Sequence, residues 1–281
     1  MSLDAKNLSI RALSGIVYIG LIIGAVLWGS VGVALLCSVF ALIGIYELEN
    51  MAASRLLFRW RPAYFIDALI ALSAIWSAYF MSCDSYGFPG HYLMTALPVL
   101  LAVRFLIQIF LPNNKGIFSI AISVFALFYL CIPLCYFIAL ECLISFKWII
   151  VALISMIWIN DTGAYLVGCT FGRHRLYEAI SPKKSWEGFF GGIIFNIGAG
   201  VAFFYLFRHA HVDLSLISWI VVGICVSVTA TVGDLFESMI KRNCDVKDSG
   251  SIIPGHGGIL DRIDSLLFVV PMLVMLISII S

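Results

Sequence analysis

Charged residues are scarce in this sequence. Only 12% of its 281 residues are Asp, Glu, Lys or Arg and 62% are hydrophobic, whereas a soluble globular domain carries about 25% charged residues. This shortage excludes an ordinary water-soluble protein. The few charges nearly cancel, to a formal net charge of +1. No basic field is therefore available to hold nucleic acid, and we expect no nucleic-acid partner.

The sequence also lacks the short motifs of several soluble enzyme classes. Its eight cysteines include no Cys-x-x-Cys pair, which argues against a zinc site or a dense disulfide framework. We expect free thiols that pack as small hydrophobic groups. No Walker A loop, G-x-G-x-x-G turn or G-x-S-x-G elbow occurs, so P-loop, Rossmann and serine-hydrolase functions have no support. His209-Ala-His211 with Asp213 is only a weak metal motif, because no further ligand is near.

Long apolar runs fill most of the chain instead. A helix needs about 20 apolar residues to cross a bilayer, and nine such segments occur, near residues 12–29, 31–47, 63–81, 92–111, 117–142, 147–168, 188–207, 214–237 and 264–280. We predict an all-α polytopic membrane protein with about nine transmembrane helices. Residues 1–145 would hold the first five helices, and residues 146–281 the last four together with the polar motifs.

Loop charges predict the orientation. If segment 117–142, which contains Pro133 and Glu141, is one span, most loop lysines and arginines lie on one face of the membrane. If it forms two short spans, these cations are shared evenly between the faces. Basic residues concentrate on the cytoplasmic side, which favours one span and a cytoplasmic N-terminus. The two glycine-rich polar loops then face the cytoplasm, and we expect the active site in a polar cavity at that interface.

Several acidic residues fall within the apolar segments, where an ionisable group is costly unless it faces a polar cavity. For Glu47, Asp67 and Glu141, near span ends, an interfacial position is the simpler interpretation. Asp161 lies in a polar run inside the sixth segment. A second group of polar residues has the i, i+3, i+4, i+7 spacing that places side chains on one face of a helix. This face either forms the wall of a polar site or is a surface on which opposite charges neutralise each other. Its residues are Asp234, Glu237, Ser238 and Lys241.

Two loops combine carboxylates, cations and glycines. Carboxylates suit Mg²⁺, cations bind phosphate oxygens, and glycines let backbone N–H groups approach an anion. The combination indicates phosphate chemistry, although the helix dipole alone also favours acids such as Asp261 and Asp264 in a first turn. One loop contains Lys241-Arg242, Lys247-Asp248, Pro254-Gly-His256-Gly257-Gly258 and Asp261-Arg262-Ile-Asp264. The other contains Gly168-Cys-Thr-Phe-Gly172-Arg173-His174-Arg175 and Ser181-Pro-Lys183-Lys184-Ser-Trp-Glu187-Gly188.

The first of these runs, from Gly233-Asp234 to Asp264-Ser265, resembles the diagnostic motif of the phosphatidate cytidylyltransferases, or CDP-diacylglycerol synthases, without departure. The runs at 160–165 and 181–188 resemble two further blocks of that family, with Ser185 where many members have Thr. The resemblance covers about residues 155–268. The N-terminal half is similar mainly in its hydrophobic spans and in the run Arg11-Ala-Leu-Ser14-Gly15.

This resemblance implies transfer of CMP from CTP to phosphatidic acid, giving CDP-diacylglycerol and pyrophosphate for phospholipid biosynthesis in a bacterial cytoplasmic (inner) membrane. It implies Mg²⁺, with K⁺ as an optional second cation. The implied metal ligands are Asp234 and Asp261, with Asp248 and Asp264 as further candidates. The implied phosphate-binding catalytic residues are Lys183, Lys184, Lys241, Arg242, Lys247, His256 and Arg262. Residues implied to orient the cations or the substrate are Asp161, Glu237, Ser238, Gly257 and Gly258.

Two alternatives stay open. A CTP-dependent enzyme acting on another lipid phosphate would use the same phosphate-binding residues. An anion transporter would predict internal repeats, whereas the polar motifs all follow residue 155. Two G-x-x-x-G pairs, Gly20 with Gly24 and Gly188 with Gly192, allow close helix packing within one chain or between two. A homodimer is an expectation from the family only.

Overall fold

The computed structural model describes residues 5–56, 61–83, 90–110, 116–144, 147–208, 214–252 and 257–280. Within bilayer-spanning segments, helices satisfy every backbone hydrogen bond internally, and the long apolar runs are accordingly helical. The helices are α1 (Ala5–Trp28), α2 (Ser30–Leu56), α3 (Arg61–Ser82), α4 (Gly90–Phe110), α5 (Gly116–Ala126), α6 (Ile132–Leu143), α7 (Lys147–Phe171), α8 (Trp186–Phe207), α9 (Leu216–Asn243) and α10 (Leu260–Ile280). One antiparallel hairpin joins α7 to α8, with strands β1 (Arg175–Tyr177) and β2 (Ser181–Ser185).

The prediction of an all-α polytopic membrane protein is confirmed. Among the described residues, eight helices are long and apolar enough to cross a membrane. The first predicted span, residues 12–29, corresponds to α1, in which the apolar stretch with described side chains, Gly15–Trp28, is shorter than these eight. Gly29, with φ of 108°, ends α1 in the left-handed region and lets α2 begin at the next residue.

Segment 117–142, which the sequence allows to be one span or two, is one continuous helix. A π-helical turn, Leu127–Cys131, joins α5 to α6, and the flanking residues Ala126 and Ile132 both have right-handed helical dihedrals. Together they form a single candidate span, Gly116–Cys142. Pro133 follows the π-helical turn directly, where the regular i→i−4 hydrogen-bond pattern is already interrupted, so its missing backbone N–H costs less than it would in a regular helix. The single-span interpretation is therefore confirmed.

The chain forms two compact units. The first comprises Met1–Ser145 and Asn243–Arg262, and the second comprises Phe146–Arg242 and Ile263–Ser281. The loop that follows α9 thus packs with the N-terminal helices.

The first unit contains a buried polar cluster. Arg104 of α4 is 1% exposed and forms an ion pair with Asp67 of α3, at 3.3 Å between Nε and Oδ1. The same guanidinium donates hydrogen bonds to Gln108, Ser119 and Ser123. Asp67 is thus fully buried inside the unit and paired with a cation, rather than solvated. Glu47 and Glu141 are also buried rather than solvated.

The cysteines are not all free thiols. Cys83, which follows α3, forms a disulfide with Cys142 near the end of α6, with their Cα atoms 6.1 Å apart. No spacing signal along the chain predicts this pair, because the bridge joins the ends of two different helices. Six cysteines, including Cys131 and Cys135, are free as expected.

In the second unit, α7 and α8 pack through glycines. A β-carbon on Gly191 would lie 2.5 Å from that of Val167, and one on Gly163 would lie 2.6 Å from Phe195. Gly188 and Gly192 face α7, so this G-x-x-x-G pair serves packing within the chain. A β-carbon on Gly20 or Gly24 would meet nothing within 4 Å.

Candidate active site

A cavity of about 610 Å³ lies in the second unit, between the C-terminal half of α7, the hairpin, the start of α8 and the middle of α9. It contains both carboxylates and cations. Its charged and hydroxyl-bearing lining residues are Asp161, Tyr165, Arg175, Lys183, Lys184, Ser185, Thr231 and Asp234. Gly168, Gly172 and Gly188 also line it, so part of the wall is bare backbone, which an anion can approach closely.

The hairpin is fixed to α8 by two capping interactions. Ser185 is the N-cap of α8, and its hydroxyl accepts a hydrogen bond from the Gly188 amide at 3.2 Å. The Glu187 carboxylate, in the first turn, accepts hydrogen bonds from the backbone amides of Arg173 and His174. His174 Nδ1 is 2.6 Å from the same carboxylate. These contacts hold both ends of the hairpin, which carries Arg175, Lys183 and Lys184 at the cavity.

An ion pair crosses the cavity between β2 and α9. Lys184 Nζ lies 2.6 Å from Asp234 Oδ2, and the two side chains are 25% and 37% exposed. Ser238, one turn further along α9, donates a hydrogen bond to Asp234 Oδ1 at 3.4 Å. Asp234 is thus a solvent-accessible carboxylate, with Lys184 at one oxygen and Ser238 at the other.

Asp161 enters the cavity from α7. It is exposed, and Asn160 Nδ2 donates a hydrogen bond to its Oδ1 at 3.4 Å. Asn160 itself is buried, with its Oδ1 turned toward Gly192 of α8. Asn160 and Asp161 both line the cavity, so this polar run within an apolar helix faces a polar cavity, where ionisable and polar groups are tolerated.

The four polar residues that share one face of α9 lie in two different environments. Glu237 is completely buried and forms an ion pair with Lys241, and neither residue lines the cavity, whereas Asp234 does. Arg242 is exposed, with its Nε donating to the Ile180 carbonyl at the hairpin turn, at 3.4 Å. Only part of the predicted polar wall therefore belongs to the cavity.

Asp264, in the part of α10 that belongs to the second unit, is buried and accepts a hydrogen bond from the Ser265 amide. Its carboxylate interacts electrostatically with Asp234, Asp161 and Lys241. Close packing of α10 against α9 makes this proximity feasible, because a β-carbon on Gly233 would lie 2.6 Å from the Asp264 carbonyl oxygen.

The remaining motif residues lie in the first unit. Asp261 Oδ2 accepts hydrogen bonds from the Gly258 amide at 2.8 Å and from the amide and hydroxyl of Ser249, at 3.0 and 2.9 Å. Gly257 has φ of 83°, a left-handed conformation that suits glycine. Lys247, Asp248 and Arg262 are exposed. His256 lies outside the described residues.

Comparison with known proteins identifies the family. A model of the cytidylyltransferase family matches residues 9–280. The chain belongs to this family. It is 34% identical over 273 residues to the phosphatidate cytidylyltransferase of Staphylococcus haemolyticus, covering 95% of this chain and 97% of that protein. Enzymes of the same name from Staphylococcus aureus and Staphylococcus epidermidis are 32% and 34% identical over 271 and 272 residues, with the same coverage.

Several residues of this cytidylyltransferase site were not singled out from the sequence. Thr231 lines the cavity, but a threonine in an apolar span carries no signal of its own. Arg175 also lines the cavity; it belongs to the clustered cations of this loop, which indicated phosphate chemistry without a role for Arg175 itself. Glu47 contacts Ser249 of the motif loop. For Glu47 a signal did exist, namely an acidic residue within an apolar segment, and the interfacial interpretation concealed it.

The donor set fits Mg²⁺ in a restricted sense. Within the part of the chain that the structure describes, no group of three or more His, Cys, Asp or Glu side chains is placed to hold a metal ion. Mg²⁺, however, commonly binds through one or two carboxylates and completes its octahedron with water and substrate phosphate oxygens. The accessible carboxylate of Asp234 with Asp264 nearby matches that pattern.

Proposed function

We propose that this protein is a phosphatidate cytidylyltransferase, which transfers CMP from CTP to phosphatidic acid and releases pyrophosphate. The similarity over 95% of the chain to enzymes of that name carries the proposal. The cavity supports it, because cations and carboxylates together line a space of about 610 Å³, which lies within the usual range for small-ligand sites.

The residues suit an in-line displacement between two anions. A phosphatidate oxygen forms a bond to the α-phosphorus of CTP, and the bond from that phosphorus to the α,β-bridging oxygen breaks, so that this oxygen leaves with pyrophosphate. The attacking phosphate is already ionised, so catalysis consists mainly of positioning and charge neutralisation. Lys183, Lys184 and Arg175 would hold the phosphate oxygens of CTP through charge-assisted hydrogen bonds.

We propose that Mg²⁺ supports this chemistry. Asp234 and Asp264 would be its ligands in the second unit, and Asp261 and Asp248 are the candidates in the first. When bound, the ion neutralises negative charge on the phosphate oxygens. K⁺ is a second cation to be tested. Between turnovers, the ion pair of Lys184 with Asp234 would hold both side chains in place.

We further propose that the hairpin faces the cytoplasm of a bacterial inner membrane, with the N-terminus on the same side. The concentration of basic residues in the loops supports this orientation. The disulfide supports it independently. Cys142 precedes α7 and the hairpin follows it, so one crossing separates them. Disulfides persist on the oxidising, extracytoplasmic side. A homodimer, with Gly20 and Gly24 on the outer face of α1, is a separate proposal that cross-linking would test.

The decisive experiment is an assay of the purified protein in detergent with labelled CTP and phosphatidic acid. We expect a labelled lipid product and pyrophosphate, loss of both with EDTA, and recovery with Mg²⁺. Activity unaffected by EDTA would refute the metal proposal. A panel of polyprenyl and ether-lipid phosphates tests the alternative acceptors, and a faster reaction with one of them would refute phosphatidic acid as the preferred substrate.

A further inference from the structure

A carboxylate from the second helix holds the loop that begins α10. Glu47 is 2% exposed, although it lies in an apolar span. Its Oε1 accepts a hydrogen bond from the Ile259 amide at 3.0 Å, and its Oε2 accepts from the Leu260 amide at 2.9 Å. Ser249 Oγ lies 3.0 Å from the same Oε2. Both carboxylate oxygens are thus engaged by the residues at the start of α10 and by its preceding loop.

The local sequence explains why α10 needs this contact. The first amides of a helix have no partner within the helix and usually receive one from a Ser, Thr, Asp or Asn side chain at the N-cap. The residues here are Gly257, Gly258, Ile259 and Leu260, and none of their side chains can accept a hydrogen bond. Glu47 supplies the missing acceptor from another helix, and its negative charge also suits the positive end of the helix dipole.

The same contact reaches Asp261 through Ser249. Ser249 Oγ is 2.9 Å from Asp261 Oδ2, so this hydroxyl lies between the two carboxylates. Two glycines allow the approach, since a β-carbon on Gly250 or on Gly258 would lie 2.5 Å from Glu47 Oε1. Glu47 therefore contacts both the loop and the first residues of α10, and Ser249 extends this hydrogen-bond network to Asp261.

We propose that Glu47 is a positioning residue for cytidylyl transfer, which fixes the start of α10 and so the direction of the Asp261 carboxylate. The inference rests on the proposed function, in which Asp261 is a metal-ligand candidate. Glu47 itself contacts backbone amides and Ser249 and acts through them. It extends the functional residues beyond residues 155–268, into a helix where the family resemblance offered no motif.

The test compares Glu47→Gln and Glu47→Asp with Glu141→Gln. Glu141 is a matched control, because it is also a buried glutamate of the first unit but lies on α6 rather than α2. Glutamine keeps the size of the side chain but replaces one acceptor with an amide N–H group, which cannot receive a backbone donor. Backbone hydrogen exchange over residues 243–262, in detergent and without Mg²⁺, reports on the loop independently of activity.

In Glu47→Gln we expect the Ile259 and Leu260 amides to exchange about 10-fold faster or more, because hydrogen bonds to a charged acceptor are lost. We expect kcat per folded protein to fall by about 10-fold or more, with the KM for CTP changed less than about 2-fold. Glu47→Asp should restore part of both, and Glu141→Gln should alter neither.

Unchanged exchange at Ile259 and Leu260, or a rate loss that only follows the loss of folded protein, would overturn the inference. Equal effects in Glu141→Gln would also overturn it, because any buried charge would then matter equally. If the wild-type protein transfers no CMP, the proposed function fails and the positioning role with it. The exchange difference between wild type and Glu47→Gln would still show whether the contact holds the loop.

Discussion

Replacing Asp234 with asparagine should separate catalysis from stability. The ion pair of Asp234 with Lys184 is short, at 2.6 Å, but the two side chains are 37% and 25% exposed. A pair this accessible to water contributes at most about 1 kcal/mol to folding. Removal of one charged group that stabilises a transition state, in contrast, typically costs a factor of about 100 to 1,000 in rate. Asp234→Asn should therefore remain folded and lose nearly all activity.

The measurement is incorporation of labelled CTP into lipid, normalised to the monodisperse protein recovered by gel filtration in detergent. Glu178→Gln is the matched control, because Glu178 is an exposed acidic residue at the turn of the hairpin that carries Lys184, and it does not line the cavity. It should retain wild-type activity. Asp67→Asn should instead lower stability, because it removes the carboxylate paired with the buried Arg104. The cost should be at most about 3–5 kcal/mol, since Glu49 also interacts with Arg104. Asp234→Asn with more than about half of the wild-type rate would refute the reasoning.

Three further predictions concern other parts of the molecule. Arg175→Ala should raise the KM for CTP by about 10-fold with little loss of kcat, as measured by CTP titration, and an unchanged KM would exclude Arg175 from binding the substrate. Cys83→Ser should lower stability by about 2–4 kcal/mol, because the bridge with Cys142 closes a loop with a sequence separation of 59 residues; equal thermal midpoints for wild type and variant would contradict this. Gly191→Ala should destabilise the protein by about 1–3 kcal/mol through overpacking against α7. Gly198→Ala on the same helix, where a β-carbon meets nothing within 4 Å, should not lower the melting temperature in the same experiment, because alanine has the higher helix propensity.

Much of the fold was predictable because hydrophobicity along the chain determines the spans directly. The nine apolar segments correspond to the helices found, and loop charge alone resolved the segment around Pro133 into one span. What hydrophobicity does not report is which faces meet. The pairing of Arg104 with Asp67 and the bridge from Cys83 to Cys142 each join different helices, and no spacing rule encodes such contacts.

The residue types of the candidate site were predictable from the sequence, but which of the predicted residues lie together in the cavity was predictable only in part. Asp161, Lys183, Lys184 and Asp234 line one cavity, as the mixture of cations and carboxylates indicated. Helical spacing also placed Glu237 on the face of Asp234, but Glu237 is completely buried with Lys241. Periodicity specifies a direction around the helix axis, and a difference of one turn is enough to move a side chain from a cavity into the interior.

The buried arginine of α4 also bears on how the protein is made. An isolated arginine costs about 2.5–3.5 kcal/mol at the centre of a helix that enters the bilayer from the translocon. Asp67 belongs to the preceding helix, and Ser119 and Ser123 to the following one. The counter-ion is therefore synthesised before the arginine and two hydroxyl partners immediately after it, an order that favours release of these helices into the lipid as a group rather than singly.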